Sequence, residues 1–341
     1  MIKRVLIDNK EIEKLTAEKN FAEAARHLLN LQKSSWKKLG DGYKSLRNVK
    51  TKFFEFDGYT FKIQFNPGRI ISSSAKVDER SIIERVCFLC YRNLPSEQKG
   101  ILYDERFLIL GNPYPIFPEH LTAAHVEHIP QRIKGSFSDL FALSKVLSEF
   151  YTVIYNGPKC GASAPDHLHF QAGSPAKGGM PLNNEFQQIR NKYEEILSER
   201  KNLIVAVIDD GLRRFISIES DRKEKVEKIF RIFYEAYEKV TQPNTPDEPM
   251  LNILSIYEKI SGWRVIIFLR AKHRSSHYFE EGEKNILYSP ASVDLGGVCI
   301  TPLEKDFNKI DKQLLTEIFR EVTLGKEKFE HLKLLLKENI K

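Results

Sequence analysis

This 341-residue chain has only four cysteines, Cys87, Cys90, Cys160 and Cys299, too few for the disulfide framework of a secreted scaffold. No apolar run reaches the length of a membrane span, so no membrane partner is expected. The first 30 residues lack the apolar segment of a signal peptide, and the expected compartment is the cytoplasm. Neither a GxxxxGK[ST] phosphate loop nor a GxGxxG dinucleotide fingerprint occurs, which excludes sites built on those loops. The net charge of +7 comes without the interleaved aromatic and basic residues of common RNA modules, and no nucleic-acid partner is expected.

What is present describes an ordinary globular chain, 41% hydrophobic and 29% charged, long enough for one large domain or two smaller ones. Apolar spacing predicts helix over residues 10–46, 137–155, 183–199 and 221–240, and again over the last thirty residues. A hairpin with Asp57-Gly58 at its turn is expected over 53–65. Strands are expected at 107–110, 121–126, 202–208, 212–218, 250–257 and 263–269. Such a mixture of antiparallel strands and helices indicates an α+β fold.

The strongest chemical signal is the segment Gly161-Ala162-Ser163-Ala164-Pro165-Asp166-His167-Leu168-His169-Phe170-Gln171. On a strand, His167, His169 and Gln171 share one face, roughly 6–7 Å from one to the next, while Leu168 and Phe170 face the core. The small residues ahead of the row leave room for an anion against the backbone. A neutral imidazole there is a competent nucleophile toward phosphorus. Two histidines on a half-buried strand can equally be hydrogen-bonded core residues; the His-x-His-x-Gln row behind a glycine loop favours chemistry.

Asn156-Gly157, Gly161, Ser163 and His167-Leu168-His169-Phe170-Gln171 resemble the active-site segment of the histidine-triad superfamily. The resemblance is to the branch holding galactose-1-phosphate uridylyltransferase, diadenosine-tetraphosphate phosphorylase and GDP-hexose phosphorylases, which carries glutamine in place of a third histidine. It implies a histidine-triad-like fold of two half-fold repeats: residues 1–200 as the catalytic half and 201–341 as a degenerate second repeat. It also implies that His169 is the nucleophile, that Ser163 and Gln171 hold phosphate oxygens, and that Asn156 and Gly161 line the substrate site. The segment from Asn112 to His128 resembles the superfamily's upstream signature.

Cys87-Phe88-Leu89-Cys90 has the spacing of a zinc half-site or a redox pair. The resemblance supplies the remaining ligands, His128 and His167, for a structural zinc ion that anchors the strand carrying His169. On a fully extended strand His120 and His128 would lie about 27 Å apart, so His120 is left without a role and His125 is expected to be structural. Cys299 reads as a buried residue, and Cys160 lacks a partner at ligand spacing. Phosphate chemistry needs cations, and Arg69, with Ser72 and Ser73 behind it, resembles the family's phosphate-contacting segment. Lys177 and Arg270 are further substrate-binding candidates, the latter opening a basic run that ends at Arg274.

The expected function is a nucleotidyltransferase or phosphorylase working through a nucleotidyl-histidine. Its substrate would be a nucleoside-diphosphate sugar or dinucleoside polyphosphate, and its acceptor a phosphate or sugar phosphate. Two other readings fit the residues: a triad-type nucleotide hydrolase, and a non-catalytic zinc-stabilised nucleotide-binding protein. Base, sugar, acceptor and oligomeric state are open.

Overall fold

The expected hairpin is a pair of antiparallel strands, β1 (Lys50–Phe56) and β2 (Tyr59–Phe65), joined at Asp57-Gly58. The computed structural model, which describes residues 2–73, 77–174, 179–243 and 247–340, completes this small sheet with a distant strand parallel to β2. The remaining strands build one antiparallel sheet of ten. Its first five are β3 (Gly100–Tyr103), β4 (Phe107–Gly111), β5 (His120–His125), β6 (Thr152–Asn156) and β7 (His169–Gly173). The second five are β8 (Glu194–Arg200), β9 (Leu203–Asp209), β10 (Arg214–Ser220), β11 (Leu251–Glu258) and β12 (Gly262–Leu269). Strand β13 (Val298–Thr301) is the one that pairs with β2.

The order across the large sheet is β3-β4-β5-β7-β6-β11-β12-β10-β9-β8. Each set of five has the same internal order, and the sets meet where β6 pairs with β11. The topology is thus an α+β fold of two like halves sharing one sheet. One face is covered by helices including Phe21–Ser35, Phe137–Val146, Lys223–Thr241 and Lys326–Asn339. Part of the other face lies under the small sheet and helices Pro181–Tyr193 and Lys312–Val322. No described helix is long and apolar enough to cross a membrane.

Three helical expectations are corrected. The stretch 10–46 is not one helix but Lys10–Ala17, Phe21–Ser35 and Lys37–Ser45. Asn9 and Asn20 each accept backbone N–H groups as N-caps, and Lys19 adopts a left-handed backbone between the first two helices. The stretch 137–155 is helical only to Val146, because Thr152–Asn156 is a fully buried β-branched and aromatic run that pairs with β7 and β11. Residues 183–199 give helix only to Tyr193; Glu194–Arg200 turns back onto β9 instead, so pairing at the sheet edge overrides helix propensity. The histidine row is also shorter as a strand than expected, since β7 starts at His169 and His167 precedes it in a loop.

Strands β5 and β7 pair with His120 opposite Gly173, Thr122 opposite Gln171 and Ala124 opposite His169. Leu121, Ala123, Phe170 and Ala172 pack into the helix-covered core, which leaves the polar residues of both strands on the other face. At Gly173 the chain tolerates no side chain, because a Cβ there would meet the Phe117 ring at 2.4 Å. Gly173→Ala is expected to cost about 1–3 kcal/mol of stability, read as a lowered urea midpoint with an unchanged slope.

Candidate active site

His169 is 4% exposed and held through its backbone. Its N–H donates to Gln131 Oε1 at 2.8 Å, and its carbonyl accepts from Gln131 Nε2 at 3.0 Å. The same Nε2 donates to the Asn156 carbonyl at 2.9 Å, bridging the ends of β6 and β7. The imidazole Nδ1 lies 2.8 Å from the His167 carbonyl, which only accepts, so Nδ1 carries the proton. Nε2 therefore holds the lone pair and has no hydrogen-bond partner among the described residues. Burial lowers the pKa of His169, which keeps the ring neutral.

Gln171 is oriented by the residue that the sequence left without a role. His120 Nδ1 accepts from the Ile116 N–H at 3.2 Å, so its Nε2 is protonated and donates to Gln171 Oε1 at 2.8 Å. That commits the amide oxygen and leaves the NH₂ free to donate. Burial, then the positive charge of Arg69, holds the pKa of His120 down to about 3, so this orientation persists across the physiological range.

Gly161 adopts a left-handed φ of +99°, and a Cβ there would press on Ala291 at 2.6 Å, which explains glycine ahead of Ser163. Asn156 Oδ1 accepts from Asn252 Nδ2, the Ser292 N–H and Ser292 Oγ, so the amide NH₂ is what Asn156 can offer a ligand. Arg69 donates to the Tyr114 carbonyl at 2.7 Å, and its buried Nε has no partner. Burial lowers its pKa to about 10, which leaves it charged at neutral pH.

These groups surround two cavities. The larger, about 620 Å³, has His169 in its wall and suits a ligand of nucleotide size. The smaller, about 70 Å³, is lined by Asn156, Gly161, His273 and Arg274. Arg69, Ser163 and Gln171 line both. A cation, a hydroxyl and an amide thus stand where the cavities share a wall.

Beside this lies the cysteine pair. The ligand atoms of Cys87, Cys90, His128 and His167 all lie within 4.8 Å of one another, so the group could hold a metal ion. The two nitrogens concerned are the Nδ1 atoms of His167, 3.3 Å from Cys87 Sγ, and of His128, 3.2 Å from Cys90 Sγ. Their other nitrogens are engaged away from the sulfurs. His167 Nε2 reaches the His125 carbonyl at 2.8 Å, and His128 Nε2 lies 3.7 Å from Asp166. A donor set of two thiols and two imidazoles oriented from behind by a carbonyl and a carboxylate fits a tetrahedral thiophilic ion. The carbonyl behind His167 is that of His125.

The remaining candidates divide. Arg270 is 1% exposed, and its side chain donates to Asn252 Oδ1 and to the carbonyls of Val322, Pro290, Lys272 and His273. It has no donor left for a substrate and instead shapes the basic loop, which puts His273 and Arg274 at the small cavity. Ser72 and Ser73 end the short helix Ile70–Ser73, but their side chains, like Lys177, lie outside the described residues. Sequence reasoning missed Gln131, Ser292 and Arg85. Arg85 lines the large cavity, pairs with Asp166 and keeps a buried Nη1 without a partner. Only the adjacency of Asp166 to the histidine row could have hinted at it.

Two family models match the chain. Residues 28–174 match a domain of unknown function, DUF4922, and residues 187–341 match the GDPGP1-like C-terminal domain. No curated protein matches the chain by sequence. Among solved structures, yeast Ap4A phosphorylase Apa2 is similar over 85% of this chain and 97% of its own, with 14% identity and a TM-score of 0.58. Its complex with AMP covers 85% and 96% at the same identity, with a TM-score of 0.54.

The purified chain is expected to hold about one metal ion per molecule by elemental analysis. Cys90→Ser should reduce that content, and a chelator should lower the melting temperature of the parent chain more than that of the variant.

Proposed function

We propose that this chain, which shares its fold with an Ap4A phosphorylase and matches the GDPGP1-like C-terminal domain, belongs to the histidine-triad branch of the galactose-1-phosphate uridylyltransferases and Ap4A phosphorylases and transfers nucleotides by double displacement through His169. The observation that carries this reading is the shared wall of Arg69, Ser163 and Gln171, with the unprotonated Nε2 of His169 beside it. The substrate is a nucleoside-diphosphate sugar or a dinucleoside polyphosphate, its nucleoside in the large cavity.

The Nε2 lone pair attacks the α-phosphorus. A phosphorus–nitrogen bond forms, the bond to the bridging oxygen breaks, and the leaving phosphate keeps that electron pair. An oxygen of the acceptor phosphate then attacks the same phosphorus and returns the pair to Nε2. Arg69, Ser163 and the NH₂ of Gln171 meet the charge that grows on the non-bridging oxygens. An amide cannot act as acid or base near neutral pH, which favours a phosphate acceptor over activated water. His273 and Arg274 support a phosphate in the small cavity.

Zinc is the ion that Cys87, Cys90, His128 and His167 would hold, and it would supply a fixed cross-link rather than reactivity. Holding His167 fixes the carbonyl that sets the tautomer of His169. In this reading residues 1–200 carry the chemistry. Residues 201–341, a degenerate repeat, close the small cavity, and the cytoplasm supplies both substrates.

Incubation with the substrate and no acceptor should raise the intact mass by one nucleotide, and His169→Ala should abolish the increase. Unchanged turnover in His169→Ala would sink the proposal. Release of free mononucleotide without phosphate would make the chain a hydrolase instead. Arg69→Ala is expected to lower kcat about 100–1000-fold, with Arg69→Lys recovering only part, because one ammonium cannot replace the planar fork.

A further inference from the structure

The large cavity is mostly apolar away from His169, with Trp36, Phe88, Leu89, Pro95 and Leu110 in its wall. Three amide side chains line that part of it, and they differ in what they have left to offer. Asn112 has both ends of its amide engaged, its Nδ2 donating to Thr122 Oγ1 at 3.1 Å and its Oδ1 accepting the Tyr114 N–H at 2.9 Å. Asn93 commits its Nδ2 to the Cys87 carbonyl at 2.9 Å. Gln98 is 8% exposed, and among the described residues its side chain has no hydrogen-bond partner. Its amide oxygen and nitrogen are open to the cavity, where a ligand can supply both a donor and an acceptor.

The backbone that carries this amide is held in place. The Gln98 N–H bonds to the Pro95 carbonyl at 3.1 Å, and the next residue's N–H is held by Gln32 Oε1 at 2.8 Å. Gly100, two residues on, starts β3 opposite Leu110. Strand β3 is three strand spacings from β7, on the order of 14 Å. That separation suits a nucleotide lying across the sheet, its phosphate at Gln171 and its base among the apolar walls.

We propose that Gln98 reads the hydrogen-bonding edge of the nucleobase and sets the base preference of the site. This rests on the reading of the large cavity as a nucleotide site. The amide oxygen accepts a ring or exocyclic N–H while its NH₂ donates to the neighbouring ring nitrogen or carbonyl, a paired contact that discriminates between bases. The apolar walls supply stacking area common to every base and therefore little preference.

The test is calorimetric titration of AMP, GMP, CMP and UMP into the parent chain, Gln98→Leu and Gln98→Glu. The parent should favour one base by about tenfold to hundredfold. Gln98→Leu should shrink that ratio to within about threefold, weakening the favoured nucleotide and leaving the other three nearly unchanged. Gln98→Glu, an acceptor where a donor stood, should weaken the favoured nucleotide most. Gln98→Met keeps the side-chain length and serves if leucine disturbs the loop. A preference that survives in Gln98→Leu and Gln98→Met, or equal binding of all four by the parent, overturns the proposal while leaving the nucleotide site standing. Failure of the parent to bind any of the four overturns the nucleotide reading itself, which loss of the His169 adduct would show independently.

Discussion

The antiparallel pairing of β5 with β7 is the constraint on which the site depends. Its register sets His120 against Gly173, Thr122 against Gln171 and Ala124 against His169. Because side chains alternate across a strand, a slip of one residue would send the polar row into the helix-covered core and bring Phe170 to the cavity. Phe170, Leu121 and Ala172 are fully or nearly fully buried in that core, and the hydrophobic penalty for the slip protects the placement of the polar row. Gln131 then carries the alignment beyond the end of the β6–β7 ladder, where the two strands no longer pair directly.

Three histidines of the site, His120, His167 and His169, have their roles set by the nitrogen that the backbone claims. In His169 and His120 a backbone partner engages Nδ1, yet the outcomes are opposite. The His167 carbonyl forces a proton onto Nδ1 of His169, and the Ile116 N–H forces one off Nδ1 of His120. The first ring keeps its lone pair on Nε2; the second becomes a donor that fixes Gln171. In His167 it is Nε2 that the backbone holds, so Nδ1 faces the sulfurs. Burial holds all three rings neutral, and none needs a nearby charge to select its tautomer.

The C-terminal half lacks a histidine row but completes the site from across the sheet. Asn252 on β11 and Ser292 saturate the oxygen of Asn156, and Arg270 ties Asn252 to the loop that bears His273 and Arg274. A fully buried arginine with every donor engaged is a rigid support, and removing it would strand several buried acceptors at once. One continuous sheet joins the halves, so the small cavity is walled by residues from both.

The amino-acid sequence by itself determined the class of the fold, the hairpin at Asp57-Gly58 and most strands of the second half, because alternation and turn residues are local signals. It also determined the residues of the histidine row and the cysteine pair, since side-chain chemistry at short spacing is legible without coordinates. The helix ends at Val146 and Tyr193 were not legible. Thr152–Asn156 and Glu194–Arg200 become strands by hydrogen bonding to partners far along the chain, which local propensity does not encode. The convergence of His128 and His167 with the cysteines was available only through family resemblance, and the structure supplies its geometry by ending β5 at His125. Only the tertiary structure decided that Arg270 is a support, that His120 orients Gln171, and that Arg85 and Gln98 face the cavity. Each of those roles depends on which donor or acceptor of a side chain is already taken, and that is settled by packing between residues remote in sequence.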